Sequence, residues 1–405
     1  MSHLIVFSHL RWEFVFQRPQ HLLSRLARHF AVVFVEEPVH SNGPAGLERS
    51  SPCPGVCVLR PHTAIEAPGF HDDQLSALQP LIAGYLADEG IDDYLVWFYT
   101  PMALPLLADL APRALVYDCM DELAAFKNAP RQMRQRETAL LKSADLVLTG
   151  GPRLYQAKRD TNPNVVCLPS AVDANHYATA RATGDAAAME FAESLQPNAS
   201  PRLGFFGVID ERLDLDLVAR LADADPAWQI VMVGPVVKID AAALPRRANL
   251  HWLGQQPYSI LPQLVAGWEV CLMPFALNES TEFISPTKTL EYMAAGKPVV
   301  STPIHDVKAM FSDLVAIAAT SEAFVGACRQ ALLESPAEQA VRREAMQARV
   351  AEHSWDSAAE TIRSALAEVL AQPSRRGPDA AAAPSPTESL PREDPDASRQ
   401  VALAG

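Results

Sequence analysis

Short apolar runs alternate with amphipathic stretches along most of this chain. The runs are hydrophobic on both faces, which is typical of strands in a parallel sheet covered by helices. In the first half the predicted strands are Leu4–Phe7, Val32–Val35, Cys57–Leu59, Tyr94–Tyr99, Ala114–Asp118, Asp145–Leu148 and Val165–Leu168. In the second half they are Leu203–Phe206, Gln229–Val233, Leu250–Leu253, Val270–Met273, Pro298–Ser301 and Val315–Ala318. Helical patterns between the first-half strands cover Pro19–His29, Asp72–Asp88 and Arg131–Lys142. This alternation predicts an α/β fold with doubly wound parallel sheets.

Two such sheets need a boundary, and we place it at residues 178–200. This stretch contains a Thr-Gly-Asp turn, many alanines and a Pro-Asn pair, without a clear strand. We expect an N-terminal domain over 1–177 and a C-terminal domain over 201–352. A final amphipathic helix is predicted within 353–371. Residues 372–405 contain six prolines and no aromatic residue, so we expect them to be disordered.

One segment, residues 285–302, carries the signals of a short helix followed by a strand. Ser285 is a good N-cap, Pro286 suits the first helical position, and Gly296 suits the left-handed position after the helix. The apolar run from Pro298 to Ser301 follows at once. The segment therefore predicts a helix from Pro286 to about Ala295 and then a buried strand.

The polar residues of this helix suggest a ligand. Leu290, Met293 and Ala294 share one face, whereas Lys288 and Glu291 lie one turn apart on another. Lys288 and the first amide groups would meet a phosphate, and Glu291 would accept hydrogen bonds from a ribose or sugar diol. The alternative is a solvated amphipathic helix with an incidental Lys/Glu pair.

Composition excludes several classes of function. The chain has 405 residues and a net charge of −14, without a basic block, which argues against a nucleic-acid partner. Six scattered cysteines form no second pair that would complete a zinc set. We see no signal peptide and no apolar run of the ~20 residues that span a bilayer. The expected location is cytoplasmic, with peripheral membrane contact as an option.

The loop after the first strand is dense in polar side chains. Open parallel sheets bind ligands at the carboxyl ends of their strands. A role in the catalytic cleft or acceptor site is therefore favoured over an ordinary surface loop. The polar residues are His9, Arg11, Gln17, Arg18 and His21.

A second strand end, Tyr117 to Glu122, places Asp118, Asp121 and Glu122 within five residues. Paired carboxylates can act as acid and base or bind a metal. An equally good interpretation is that Asp121 caps the next segment and Asp118 holds the neighbouring loop.

The second half of the chain opens on a strand, a glycine and a helix. Gly207 would allow a diphosphate to approach the backbone, and Arg212 would supply charge. Gly234 follows the next strand and is expected to border a base-binding pocket. No Gly-x-Ser-x-Gly, His-Glu-x-x-His or Walker motif is present, so serine hydrolase, zinc protease and P-loop functions have no support.

The segment from Asn278 to Thr302 resembles the nucleotide-sugar signature of family 4 glycosyltransferases (group 1). In that family the glutamate corresponding to Glu291 holds the ribose, and a second glutamate eight positions earlier touches the transferred sugar. Here that earlier position is Phe283, with Glu279 and Glu282 nearby. The pattern is similar to a subgroup that makes bacterial cell-surface polysaccharides.

The resemblance implies a GT-B fold of two facing Rossmann-like domains, with a C-terminal helix at Ser354-Trp355-Asp356 that crosses back to the N-terminal domain. It also implies a retaining, metal-independent transfer from a nucleotide-diphosphate sugar, such as a UDP-sugar, to a saccharide or lipid-linked acceptor, without a cofactor. A sugar-nucleotide 2-epimerase and a catalytically silent binding module remain alternatives. The catalytic candidates are His9, Arg18, Asp118, Asp121, Arg212 and Lys288. The donor-binding candidates are Gly207, Arg212, Gly234, Thr281, Ser285, Pro286, Thr287, Lys288 and Glu291.

Overall fold

The computed structural model describes residues 1–178, 186–199 and 201–372. Its described residues form two compact units, one made of residues 1–168 together with residues 358–372, the other lying within Pro169–Ser357. Each unit is a parallel sheet with helices. The doubly wound α/β architecture predicted from the apolar runs is therefore confirmed. The predicted tail lies outside the described residues, apart from Gln372.

The first unit is built on one large sheet. Its strands are β1 (His3–Ser8), β2 (Ala31–Glu36), β3 (Val39–His40), β4 (Gly46–Cys53), β5 (Val56–Thr63), β6 (Tyr94–Phe98), β7 (Leu115–Cys119), β8 (Leu146–Thr149) and β9 (Val165–Cys167). The order is β3-β5-β2-β1-β6-β7-β8-β9, and β4 pairs antiparallel with β5 while the other pairs are parallel. The predicted strands did not include β4 because its residues are polar and mostly exposed.

The helices of the first unit are α1 (Arg18–Leu26), α2 (Leu75–Asp88), α3 (Gln132–Ser143) and α4 (Pro152–Lys158). The central strands β1 and β6 are almost entirely buried, as expected for a sheet covered on both faces. The direction in which successive strands are added to the sheet reverses between β1 and β6, because β2 lies on one side of β1 and β6 lies on the other. The carboxyl end of β1 is therefore the switch point of this sheet.

The second unit repeats the arrangement on a smaller scale. Its strands are β10 (Arg202–Phe206), β11 (Gln229–Val233), β12 (Leu250–Trp252), β13 (Val270–Met273), β14 (Val299–Ser301) and β15 (Ala316–Ile317). All pairs are parallel in the order β12-β11-β10-β13-β14-β15, which puts the switch point between β10 and β13. Its helices are α5 (Ala174–Ala178), α6 (Ala186–Ser194), α7 (Leu215–Ala224), α8 (Leu261–Ala266), α9 (Lys288–Ala294), α10 (His305–Phe311), α11 (Ser321–Leu332) and α12 (Pro336–Ala351).

The unit boundary differs from the connection predicted at 178–200. The chain passes into the second unit directly after Leu168. Ser170 donates a hydrogen bond to the Ser285 carbonyl, and the buried Tyr177 ring stacks on Phe206. These long-range contacts hold the segment before residue 178 in the second unit, and they leave no trace in the local sequence pattern.

The last helix, α13 (Trp355–Ala371), begins in the second unit and belongs to the first from Ala358 onward. Ile362 and Leu366 are buried along it. Among the described residues, no helix combines the length and apolar character that crossing a membrane requires.

Candidate functional site

Three loops meet at the switch point of the second unit. Gly207 follows β10, Gly234 follows β11, and Phe275 comes shortly after β13. Helix α9 leads away from the same strand ends, and its first residue is Lys288. The sheet topology therefore brings together residues that are far apart in the sequence, at the edge where open parallel sheets bind ligands.

Both glycines are required by the backbone. Gly207 has φ +135° and Gly234 has φ +148°, a region that side chains with a Cβ rarely adopt. A Cβ at 207 would lie 2.1 Å from Cε of Lys288, and one at 234 would lie 1.8 Å from the Gly207 carbonyl oxygen. The absence of both side chains thus lets the Lys288 side chain lie directly against the loop after β10.

The amide groups of these glycines are already used within the protein. Gly207 N–H donates to Val233 O at 2.8 Å, and Gly234 N–H donates to Gly254 O at 2.8 Å. Lys288 fills the space that the missing side chain leaves, so the expected close approach of a phosphate stays a prediction for Gly207. Its own amide, however, is not available to a ligand, because it extends the β10–β11 ladder.

The Lys288 ammonium lies near two aromatic rings. Its Nζ is 5.6 Å from the ring centre of Phe205 and 6.0 Å from that of Phe275. The two rings contact each other edge to face at 6.2 Å. A cation in this position gains attraction from the faces of the rings, which limits where the ammonium can move.

Glu291 lies one turn along α9 from Lys288 and is 7% exposed. Burial raises the pKa of this carboxyl to about 7, whereas the Lys288 charge and the Tyr177 hydroxyl act in the opposite direction. A buried carboxylate next to a lysine can accept two hydrogen bonds from a diol. The structure places Lys288 and Glu291 together as predicted.

The start of α9 corrects the predicted N-cap. The helix begins at Lys288, and Thr287 before it has helical angles without a side-chain cap. Ser285 is not the cap, because its carbonyl is held by the Ser170 hydroxyl at 3.0 Å and the chain there is still irregular. Pro286 is likewise outside the helix. Ser285, Pro286 and Thr287 are half-buried and lead into the site.

The predicted end of the helix is confirmed. Gly296 has φ +70°, its amide donates to Met293 O at 2.8 Å, and Lys297 N–H donates to Tyr292 O at 3.0 Å. These two bonds satisfy the last carbonyl groups of the helix.

Two of the predicted donor-binding residues, Thr281 and Arg212, bind other groups of the protein. The Thr281 side chain is 2% exposed, donates to Ala276 O at 2.6 Å and accepts from Asn278 N–H at 3.0 Å. Thr281 therefore closes the 276–281 turn and is not a ligand contact. Arg212 forms a two-pronged ion pair with Asp210 at 2.6 and 3.0 Å, so its charge is balanced where the prediction assigned it to a phosphate.

The structure also revises the catalytic roles predicted for Arg18 and Asp118 of the first unit. They form a buried two-pronged ion pair at 2.9 and 3.1 Å, and Arg18 Nη1 donates to Leu168 O at 2.8 Å. Arg18 is 4% exposed and Asp118 is fully buried, so the structure shows the two side chains engaged with each other and enclosed by protein. Burial raises the pKa of Asp118 and the Arg18 charge opposes this rise. The alternative in which Asp118 holds the neighbouring loop fits the structure.

The remaining first-unit candidates, His9 and Asp121, are half-buried. His9 follows β1, in the loop that Glu36 holds by accepting from Arg11 Nη1 at 3.1 Å and from Trp12 N–H at 2.8 Å. Burial lowers the pKa of Arg18, but the charge of Asp118 outweighs this effect together with a smaller contribution from Asp121, which lies close enough to add to the rise. The structure places both His9 and Asp121 near strand ends of the first sheet.

Sequence reasoning missed several residues. Phe205, Phe275 and Tyr177 shape the site around Lys288 and Glu291, but an aromatic residue in a strand-like run gives the same signal as a core residue. It also missed a buried network in which Lys158 binds Glu122 at 2.7 Å and Glu137 at 3.0 Å. In the described ranges no group of three or more His, Cys, Asp or Glu residues has a geometry suited to a metal ion.

Comparison with known proteins finds a family match over part of the chain. Residues 214–364 match the family described as glycosyl transferase-like. The chain is 24% identical over 233 residues to the putative teichuronic acid biosynthesis glycosyltransferase TuaH of Bacillus subtilis (strain 168). That match covers 53% of this chain and 56% of the relative, so the chain spans little more than half of the relative's length.

Solved structures share the fold at low identity. Sucrose-phosphate synthase from Thermosynechococcus elongatus superimposes with a TM-score of 0.71 at 15% identity, covering 92% of this chain and 100% of that one. HepE from Anabaena, in complex with UDP and glucose, superimposes with a TM-score of 0.64 at 14% identity. The match covers 91% of this chain and 100% of that one. Residues 214–364 therefore match a glycosyl transferase-like domain, and the chain shares the two-domain, Rossmann-like GT-B fold of these structures.

Proposed function

We propose that this protein transfers a glycosyl group from a nucleotide-diphosphate sugar, such as a UDP-sugar, to a saccharide or lipid-linked acceptor. The observation that carries the proposal is the cluster of Lys288, Gly207 and Glu291 at the switch point of the second unit. The Lys288 stem fills the space that Gly207 leaves, and its ammonium would bind the diphosphate. Glu291 would accept hydrogen bonds from the ribose.

The chemistry we propose is a transfer with retention of the anomeric configuration, which the family resemblance implies. The bond between the anomeric carbon and the diphosphate breaks, and the acceptor hydroxyl oxygen bonds to that carbon on the same face. The hydroxyl proton passes to the departing phosphate oxygen. Lys288 would stabilise the charge that develops on the diphosphate, as a preorganised cation does for a leaving group.

We further propose that the acceptor belongs to cell-surface polysaccharide synthesis. The supporting observation is the name of the teichuronic acid relative. The first unit would hold the acceptor near the loop after β1, where His9 lies. A lipid-linked acceptor would bring the protein into peripheral contact with the cytoplasmic face of the inner membrane.

The proposal is tested by incubating the full chain with radiolabelled nucleotide-sugars. A transferase slowly hydrolyses its donor or transfers the sugar to added acceptor, an epimerase equilibrates it, and a silent module only binds it. We expect hydrolysis or transfer that persists in excess EDTA and yields a product with the donor's anomeric configuration by NMR. Donor equilibration or unchanged donor would contradict the proposal.

Lys288→Ala should lower donor affinity at least tenfold in calorimetry, because a charge-assisted contact is worth ~1.5–3 kcal/mol. Lys308→Ala is the matched control, since Lys308 is an exposed lysine on α10 of the same unit. Equal affinity of both variants would remove Lys288 from the site.

A further inference from the structure

Glu211 carries a carboxylate that the fold leaves unsatisfied. Both of its oxygens are enclosed by protein, and neither has a hydrogen-bond partner among the described residues. Its two neighbours differ, because Asp210 and Arg212 form an ion pair with each other. Enclosing a carboxylate without partners costs free energy, and a ligand that donates hydrogen bonds is one way in which such a group is satisfied.

The position of Glu211 is fixed by loops that border the site. It lies in the loop between β10 and α7, which begins at Gly207 beneath Lys288. The Glu211 carbonyl accepts from Asn278 Nδ2 at 3.1 Å. On the other side, Ile209 N–H donates to Pro235 O at 2.9 Å, next to Gly234. Glu211 thus lies between the loops that follow β11 and β13.

The chemistry of the Glu211 carboxylate determines which kind of ligand group it can bind. An ionised carboxylate only accepts hydrogen bonds and repels phosphate, so a ligand must bring donors that carry no negative charge. Beside a proposed diphosphate site, sugar hydroxyl groups meet this requirement. The position at which the family places a sugar-contacting glutamate is occupied by Phe283, and the nearby Glu279 and Glu282 are exposed.

We propose that Glu211 accepts hydrogen bonds from hydroxyl groups of the transferred sugar, with its side chain turning to meet them. This inference rests on the proposed function, since it assigns the sugar part of that same donor. It makes Glu211 a group that contacts the glycosyl residue but not the nucleotide. Replacing Glu211 should therefore weaken the binding of UDP-glucose and leave the binding of UDP unchanged.

The test compares Glu211→Gln with the wild type by calorimetry, using UDP and UDP-glucose as probes, and by thermal unfolding without ligand. We expect unchanged UDP affinity and about tenfold weaker UDP-glucose binding, because the charge-assisted acceptor is lost. The melting temperature of the ligand-free protein should rise, because the variant no longer encloses an unpaired charge. Glu279→Gln, an exposed glutamate in the neighbouring loop, is the control and should change none of these values.

Two outcomes would overturn the inference while leaving the proposed function intact. One is UDP-glucose affinity that Glu211→Gln does not alter. The other is a lower melting temperature, which would show that the carboxylate has a structural partner. If wild-type protein binds neither UDP nor UDP-glucose, the UDP-sugar donor site itself is wrong, and the role of Glu211 is wrong with it.

Discussion

Lys288 and Gly207 show how one missing side chain shapes the site. The lysine stem occupies the volume that a Cβ at 207 would need, and its ammonium lies near the rings of Phe205 and Phe275. The lysine is thus placed before any ligand arrives. Preorganised charge stabilises a developing negative charge without the cost of rearrangement.

Gly207→Ala should displace Lys288 and lower UDP affinity by about tenfold. The new Cβ would lie within 2.1 Å of Lys288 Cε, and the positive φ of residue 207 adds strain. Calorimetry with UDP measures the effect. Gly326→Ala is the control, because a Cβ there meets nothing within 4 Å and Gly326 lies inside α11, where alanine is favoured by about 1 kcal/mol. Unaltered UDP binding by Gly207→Ala would contradict the assigned role of Lys288.

Glu291 should make stability depend on pH. Its pKa, about 7, lies above the ordinary value of 4.5, so the folded protein holds a proton that the unfolded chain releases between these values. The contribution of Glu291 to stability is therefore fully present below about pH 4.5 and is lost as the pH rises to about 7, by about 3 kcal/mol in all. Glu291→Gln should remove this loss.

The measurement is urea unfolding of wild type and Glu291→Gln at pH 5 and pH 8. The stability of Glu291→Gln relative to the wild type should be higher at pH 8 than at pH 5. The variant should bind UDP more weakly, because it lacks the carboxylate. An equal stability difference at the two pH values would mean that Glu291 is ionised in the folded protein throughout this range.

At the scale of elements, the Arg18–Asp118 pair connects the start of α1 to the end of β7. The residues are 100 positions apart and both are buried. A third contact, from Arg18 to Leu168 O, ties in the chain just before the unit boundary. Arg18 therefore holds α1, the end of β7 and the chain after β9 together.

Asp118→Asn should destabilise the protein by about 3–5 kcal/mol, because it leaves the Arg18 charge buried and uncompensated. Asp93→Asn is the control, since Asp93 and its partner Arg113 are about half exposed and such pairs contribute little. Urea unfolding distinguishes the two variants. A stable Asp118→Asn protein without transferase activity would restore Asp118 as a catalytic residue.

At the scale of the whole molecule, the first unit is completed by the end of the chain. From Ala358 onward α13 belongs to that unit, and Ala358, Ala359, Ile362 and Leu366 are buried along it. Burying a side chain of the size of Ile362 or Leu366 contributes ~1.5–3 kcal/mol. The residues after 372 are rich in proline and alanine and lack aromatic side chains.

Truncation at two points should separate these segments. A chain ending at Gln372 should melt within a degree or two of the full chain. A chain ending at Ser357 should be insoluble or unfolded, because the first unit loses its last helix. Soluble, active protein from the chain that ends at Ser357 would contradict this account of α13. A much lower melting temperature of the chain that ends at Gln372 would mean that residues 373–405 contribute to folding.

The sequence by itself determined the local features. Strand runs, the end of α9 at Gly296 and the one-turn spacing of Lys288 and Glu291 follow from periodicity and capping, which depend on residues close together in the chain. The doubly wound α/β class followed from the order of these elements. The sequence also shows Phe283 eight positions before Glu291, where the resembled family has a glutamate.

Only the tertiary structure decided which polar residues are available to a ligand. Arg18 and Thr281 resemble site residues in sequence, but burial and hydrogen bonding within the protein engage them. Arg212 is paired with Asp210, whereas the oxygens of Glu211 beside them are left without partners. The physical reason is that burial and pairing depend on contacts between distant segments, such as the 100 positions between Arg18 and Asp118, and no local pattern encodes them.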